Sequence, residues 1–212
     1  MLRFIYGDEI DRFPKLKRSM FLDRADQFKT RLGWDVTVDP TGEERDAYDE
    51  MNPLYVLWEK PDGTHGGSMR LLPTTGPCMV NDHFLDLTNG VRITSPFVWE
   101  CTRFCLARDC EPKTAAALML GGGEVMAGFG VEHYVGVFDA RMVRIYRMIG
   151  ASPEIIGAQG EGRDRISVGL WGFCEAARRT VAERAGIAPE TSRMWFERAF
   201  GGECRQTLAQ TA

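Results

Sequence analysis

The sequence predicts an α/β fold, a mixed and twisted β-sheet with helices on both faces. Three observations predict it. Two apolar runs, 54–59 and 65–72, flank Pro61-Asp62-Gly63-Thr64, an Asp-Gly turn signal that makes them a β-hairpin. Further along, strand-like runs at 98–107, 133–138, 154–158 and 166–171 are linked by helical segments, which implies a mixed sheet with helices packed on it. At 212 residues, 44% hydrophobic and 26% charged, the chain is long enough for one substantial core, so 1–212 reads as a single domain.

The elements follow in order. Residues 2–6 form a short apolar strand that Gly7 and Asp8 end. Residues 8–32 are helical in pattern, with Ile10, Phe13, Met20, Phe21 and Phe28 at three- and four-residue steps, and Pro14 divides them. Gly33 breaks the helix and Trp34 follows. Residues 35–53 read as a long polar loop with a short strand at 36–38 and a dense acidic cluster at 44–50. Composition alone makes that cluster a solvated surface, yet long loops in compact folds often carry function.

In the hairpin, Arg70 sits among apolar neighbours, where an arginine needs an acidic partner or a ligand. A long connection, 74–96, offers Met79, Phe84 and Leu87 as an apolar flap. The strand at 98–107 carries Glu100 and Arg103, which strand alternation sends to opposite faces unless a bulge intervenes. A helix at 112–129 has Pro112 in its first turn. Gly121-Gly122-Gly123 lies inside it and lacks the strand–turn–helix setting of a phosphate cradle. After the strand at 133–138, Asp139 caps a helix at 140–149 and Gly150 ends it. On that helix Arg141, Arg144 and Arg147 share a face while Met142, Ile145 and Ile149 point inward. A helix from Phe173 ends at Gly186, Pro189 starts a last short helix, and the terminal residues read as disordered.

The bulk numbers exclude several classes. A net charge of −4 argues against a protein that wraps nucleic acid. Asp8, Glu9 and Asp11 interrupt any secretion signal, and no apolar window approaches a membrane span, so a cytoplasmic location is expected. No Cys-x-x-Cys occurs and the histidines at 65, 83 and 133 are scattered, so no metal site is expected.

Four motifs together resemble one family. Arg24, Phe28 and Trp34 match Arg-x3-Phe-x5-Trp, and Glu44, Asp46, Tyr48 and Asp49 match Glu-x-Asp-x-Tyr-Asp. Gly67 to Pro73 match Gly-Ser-x-Arg-Leu-Leu-Pro around Arg70, and Glu100, Arg103 and Phe104 match Glu-x-x-Arg-Phe. In this order and spacing the chain is similar to the acyl-homoserine-lactone synthases, the bacterial autoinducer synthases of quorum sensing. The resemblance covers nearly the whole chain.

The resemblance implies a GNAT-like acyltransferase fold. It implies S-adenosyl-L-methionine as a substrate rather than a cofactor, with no separate cofactor. It implies an acyl thioester on acyl carrier protein or coenzyme A as donor. The implied products are an N-acyl-L-homoserine lactone, methylthioadenosine and the free thiol. Glu100 becomes the candidate base, with Arg103 beside it. Arg24, Phe28, Trp34, Asp46, Asp49 and Arg70 become contacts to S-adenosylmethionine or members of an N-terminal charge cluster. Phe84, Phe104, Gly136, Val137, Phe138, Met142 and Trp171 would wall an acyl pocket. Residues 135–137 carry no hydroxyl where some relatives use one for 3-oxo chains, so unsubstituted or 3-hydroxy chains are expected to be preferred over 3-oxo ones. The alternative is an ordinary GNAT N-acyltransferase acting from coenzyme A on another amine. Arg108-Asp109-Cys110-Glu111-Pro112 does not fit the pyrophosphate loop which that class usually carries.

Overall fold

Among residues 1–201, which the computed structural model describes, seven strands form one sheet in the order β1-β2-β3-β4-β5-β7-β6. The expected disorder of the terminal residues lies outside the described residues. The strands are β1 (Leu2–Tyr6), β2 (Leu54–Glu59), β3 (His65–Pro73), β4 (Val98–Leu106), β5 (His133–Asp139), β6 (Glu154–Gln159) and β7 (Ile166–Gly172). All neighbours pair antiparallel except β4 and β5, which are parallel and are joined by a crossover helix, α3 (Thr114–Phe129).

Strand alternation sorts the core into two layers. Leu54 and Val56 of β2 join Leu2, Phe4, Met69 and Leu71 beneath α3 and beneath α6 (Pro189–Phe200), whose Phe196 and Phe200 close that side. Tyr55 and Leu57 face the other way, against Leu16, Met20 and Phe21 of α1 (Pro14–Arg24). Helices therefore cover both faces. The glycines of α3 have a packing reason. A Cβ at Gly121 would sit 2.7 Å from Val56, and one at Gly122 would sit 2.8 Å from Met69, so the glycines let helix and sheet approach.

Several boundaries differ from the sequence expectation. Past Arg24 the helix continues as one widened stretch, Ala25–Arg31, of π type. The strand expected at 36–38 is a single bridge, Val38 with Glu44, because the Asp39 carboxylate accepts the Thr41 and Glu43 N–H groups and turns the chain. The long connection holds a five-residue helix, α2 (Met79–His83). The crossover helix starts at Thr114, after Pro112. Asp139 caps α4 (Ala140–Ile149) as expected, accepting from the Arg141 N–H, and α5 (Glu175–Ala185) ends at Gly186.

The feature that places the site is a split in the sheet. β4 and β5 pair only at Val98 with His133, Trp99 with Tyr134, and Glu100 with Val135. Beyond Glu100 the two strands diverge.

Candidate active site

The acidic loop is not a solvated surface. It closes on three arginines. Arg24 donates through Nε to Glu44 at 2.6 Å and through both Nη atoms to Asp49 at 2.8 and 2.9 Å. Arg70 donates both Nη atoms to Asp46, lies 2.9 Å from Asp49, and gives its Nε–H to Thr102 Oγ1 at 3.0 Å. Arg103 bridges Glu44 at 3.0 Å and Asp46 at 2.7 Å. Arg24 and Arg70 are each only 1% exposed. Burial alone would push the Asp49 carboxyl up. The Arg24 charge and hydrogen bonds, with Arg70 behind them, overcome this and hold it well below the ordinary carboxylate range. Asp46 also accepts the Tyr48 N–H, while Asp49 accepts the Asp46 N–H and the Tyr55 hydroxyl proton. The network ties α1, the loop, β3 and β4 into one body.

A β-bulge puts Arg103 into that network. Ser68 pairs with Cys105 and Arg70 with Thr102, so Arg103 and Phe104 both stand opposite Met69. Arg103 takes a left-handed conformation at φ 51°, which costs a non-glycine residue about 1–3 kcal/mol. Its ion pairs and its position over the Phe28 ring, 5.4 Å from the centroid, hold it there. The extra residue turns Arg103 onto the face that Glu100, Arg70 and Thr102 already occupy. Gln27, from the π-type stretch, pins the strand past the bulge. It donates to the Phe104 carbonyl at 2.8 Å and accepts the Leu106 N–H at 2.9 Å.

Glu100 is 1% exposed and is held from across the chain. Its carboxylate accepts the Met79 N–H at 2.9 Å and the Val80 N–H, both from the first turn of α2. Burial pushes its pKa up, and the two N–H donors and Arg70 oppose that without cancelling it.

A cavity of about 650 Å³ runs through the split between β4 and β5. Glu100, Arg103, Phe28 and Trp34 line it on the α1 and α2 side, with Phe28 stacked on Trp34 at 5.1 Å between centroids. All seven expected acyl-pocket residues, Phe84, Phe104, Gly136, Val137, Phe138, Met142 and Trp171, lie on its wall. Phe84 and Val137 belong to the α2 side of the sheet, packed against the cluster of Cys78, Val80, Val135 and Val168. Phe104, Phe138 and Trp171 belong to the α3 side. Arg24, Asp46, Asp49 and Arg70 are not on the wall. Of the two roles the resemblance offered them, the structure has them in the charge cluster. Their polar atoms are spent largely within that cluster. Among the described residues no cluster of three or more His, Cys, Asp or Glu is placed to hold a metal ion.

Comparisons with known proteins agree with this geometry. The model of the autoinducer synthase family matches residues 9–178. The chain belongs to the autoinducer synthase family. An acyl-homoserine-lactone synthase of Rhizobium etli is 40% identical over 190 residues, 85% of this chain and 88% of that one. In fold, the synthase is similar to BjaI, a coenzyme A-dependent acyl-homoserine lactone synthase solved with S-adenosylmethionine and isopentyl-CoA. The TM-score is 0.78 at 20% identity, covering 88% of this chain and 90% of that one. A Lactobacillus plantarum protein assigned as an N-acetyltransferase shares the GNAT-like fold more distantly, with a TM-score of 0.55 at 14% identity, covering 82% and 99% of the two chains. The synthase is thus an acyltransferase of GNAT-like α/β fold.

Sequence reading missed three contributors. Gln27 carries no motif signal beyond standing three residues after Arg24. The α2 N–H groups that hold Glu100 are backbone and leave no side-chain trace. Tyr146 of α4 is buried on the wall, although only Met142, Ile145 and Ile149 were expected to face inward. Its spacing of four from Met142 was the available signal. Gly136 does lack room for a hydroxyl, since a Cβ there would stand 2.9 Å from the Cys101 carbonyl and 3.3 Å from the Trp171 ring. The hydroxyl that residues 135–137 lack is present elsewhere on the wall, on Tyr146 of α4.

Proposed function

We propose that this autoinducer synthase makes an N-acyl-L-homoserine lactone from S-adenosyl-L-methionine and an acyl thioester. The observation that carries it is the cavity through the split sheet, polar and aromatic at one end and apolar at the other. S-adenosylmethionine takes the polar end. The stack of Phe28 and Trp34 meets its cationic sulfonium or adenosyl group, and Arg103, whose Nε and Nη2 are held by Glu44 and Asp46, offers its carboxylate the remaining Nη1, which lies 3.6 Å from the Met79 sulfur. The acyl chain takes the apolar end, between Phe104, Phe138, Met142 and Trp171.

Glu100 then takes a proton from the α-ammonium, directly or through a water, and the neutral amine attacks the thioester carbonyl. Backbone N–H groups on the open edge of β4 stabilise the tetrahedral oxyanion. The C–S bond breaks with its electron pair going to sulfur, the second amine proton passes to the departing thiolate, and the free thiol carrier leaves an amide behind. The methionyl carboxylate oxygen attacks the carbon bonded to sulfur, closing the lactone as methylthioadenosine departs with the electron pair. S-adenosylmethionine is consumed, so no separate cofactor takes part.

The donor is carried by acyl carrier protein or coenzyme A, and the reaction runs in the cytoplasm. No helix among the described residues is long and apolar enough to cross a membrane. The test is incubation with S-adenosylmethionine and a panel of acyl thioesters, read by mass spectrometry. Acyl-homoserine lactone and methylthioadenosine should appear in equal amounts. An acylated amine without methylthioadenosine would point instead to an ordinary N-acyltransferase.

A further inference from the structure

Among the buried polar groups at the acyl end of the cavity, most are already engaged. The Trp171 indole N–H donates to the Ala151 carbonyl at 2.8 Å, and the Tyr134 hydroxyl donates to the Gly122 carbonyl at 3.0 Å. Arg178 is held by Glu124 and Glu175. Tyr146 is different. It is 6% exposed, and its ring is wedged edge-on between Phe138 and Trp171, with centroids 5.2 and 5.0 Å away. Its hydroxyl makes no hydrogen bond among the described residues. The hydroxyl keeps contact with the open space of the cavity, and an acyl chain that fills this space displaces water from it and leaves the phenol free to pair with the ligand. Burial also raises the phenol pKa, so the group is protonated and able to donate at neutral pH.

We propose that Tyr146 is a specificity-determining residue that donates a hydrogen bond to an oxygen on the acyl chain, so that 3-oxygenated thioesters are preferred over unsubstituted ones. This rests on the reading of the cavity as an acyl-donor site and deepens it. The third carbon is the position because thioester condensation leaves a ketone there and reduction leaves a hydroxyl. Contacts lead from the split in the sheet to Tyr146 in short steps. The Cys101 carbonyl abuts Gly136, Gly136 abuts the Trp171 ring, and that ring packs on Tyr146. An unsubstituted chain leaves the phenol unpaired, while a 3-oxo oxygen accepts its proton. This reverses the order expected from residues 135–137 alone.

The experiment is competition among matched-length unsubstituted, 3-oxo and 3-hydroxy thioesters, in the native protein and in Tyr146→Phe, which keeps the ring contacts. The native protein should use the 3-oxo donor over the unsubstituted one by about threefold to tenfold in kcat/KM, the worth of one neutral hydrogen bond. Tyr146→Phe should bring that ratio close to one. A native preference for unsubstituted chains, or a ratio unmoved in Tyr146→Phe, overturns the assignment. So does a fall confined to the 3-hydroxy donor, since that oxygen can also give a proton. Failure of every donor to yield lactone would instead overturn the reading of the cavity, and this proposal with it.

Discussion

At the scale of single residues, Glu100 joins two tasks. It is the candidate base, and it receives the first N–H groups of α2 on its carboxylate. Glu100→Gln is therefore not a silent replacement. One end of an amide is a donor, and it would confront a backbone N–H, costing about 1–3 kcal/mol for the group left unsatisfied. We expect Glu100→Gln to lower the melting temperature and, per folded molecule, to slow single-turnover acylation by about 10²–10⁴. Near-normal acylation by the folded fraction would remove Glu100 from the base role. The pH dependence has a definite sign. Burial raises the folded pKa of Glu100 above its ordinary 4.5. Its proton is thus lost more readily from the unfolded chain, and ionisation at higher pH costs the fold stability. The acidic limb of the acylation rate should accordingly lie above the ordinary glutamate range.

At the scale of elements, the arginine–carboxylate network decides how the N-terminal segment is held to the sheet. Arg24→Met leaves Glu44 and Asp49 buried without their shared partner, and breaking a buried pair in this way costs about 3–5 kcal/mol. Asp49 has a depressed folded pKa, so its contribution is present in full above the ordinary aspartate value of 3.8 and is lost as pH falls below it. The deficit of Arg24→Met, measured by urea unfolding, should therefore be largest near neutrality and shrink as pH falls below about 4, the window in which Asp49 takes up its proton. A deficit independent of pH would refute this account. The α4 helix carries a second test. Arg141 is committed to Asp139, while Arg144 and Arg147 are exposed on the helix whose Met142 and Tyr146 wall the cavity. Reversing both charges should raise KM for an acyl carrier protein donor in a salt-sensitive way and leave KM for S-adenosylmethionine unchanged. Equal carrier KM values in the two proteins would mark the stripe as an ordinary solvated face.

At the scale of the whole molecule, the sequence showed the elements far better than their joins. The hairpin, the Asp139 cap and the helix stops at Gly150 and Gly186 were legible because each is a local rule written in a few adjacent residues. The seven residues named through the family resemblance do line the cavity, while Tyr146 beside them was missed. What stayed hidden was long-range. The π-type stretch that brings Gln27 to β4, the N–H pair that α2 gives to Glu100 and the unpaired hydroxyl of Tyr146 arise only when distant segments meet. The bulge was one of two stated options for Glu100 and Arg103, and only the pairing of β3 with β4 decides it. The short β4–β5 pairing has a consequence for cohesion. Past Glu100 the sheet forgoes the hydrogen bonds that would knit its two halves, and the cavity proposed for the substrates lies where those bonds would have been. A bound donor is then a removable piece of the sheet. Saturation at about a hundredfold over Kd adds roughly 2.7 kcal/mol to the folded state. That gain should appear unevenly, as slowed hydrogen exchange at the Tyr134 and Val135 amides beside the split, with little change in β1. Uniform slowing across all seven strands would show that the halves already open and close as one.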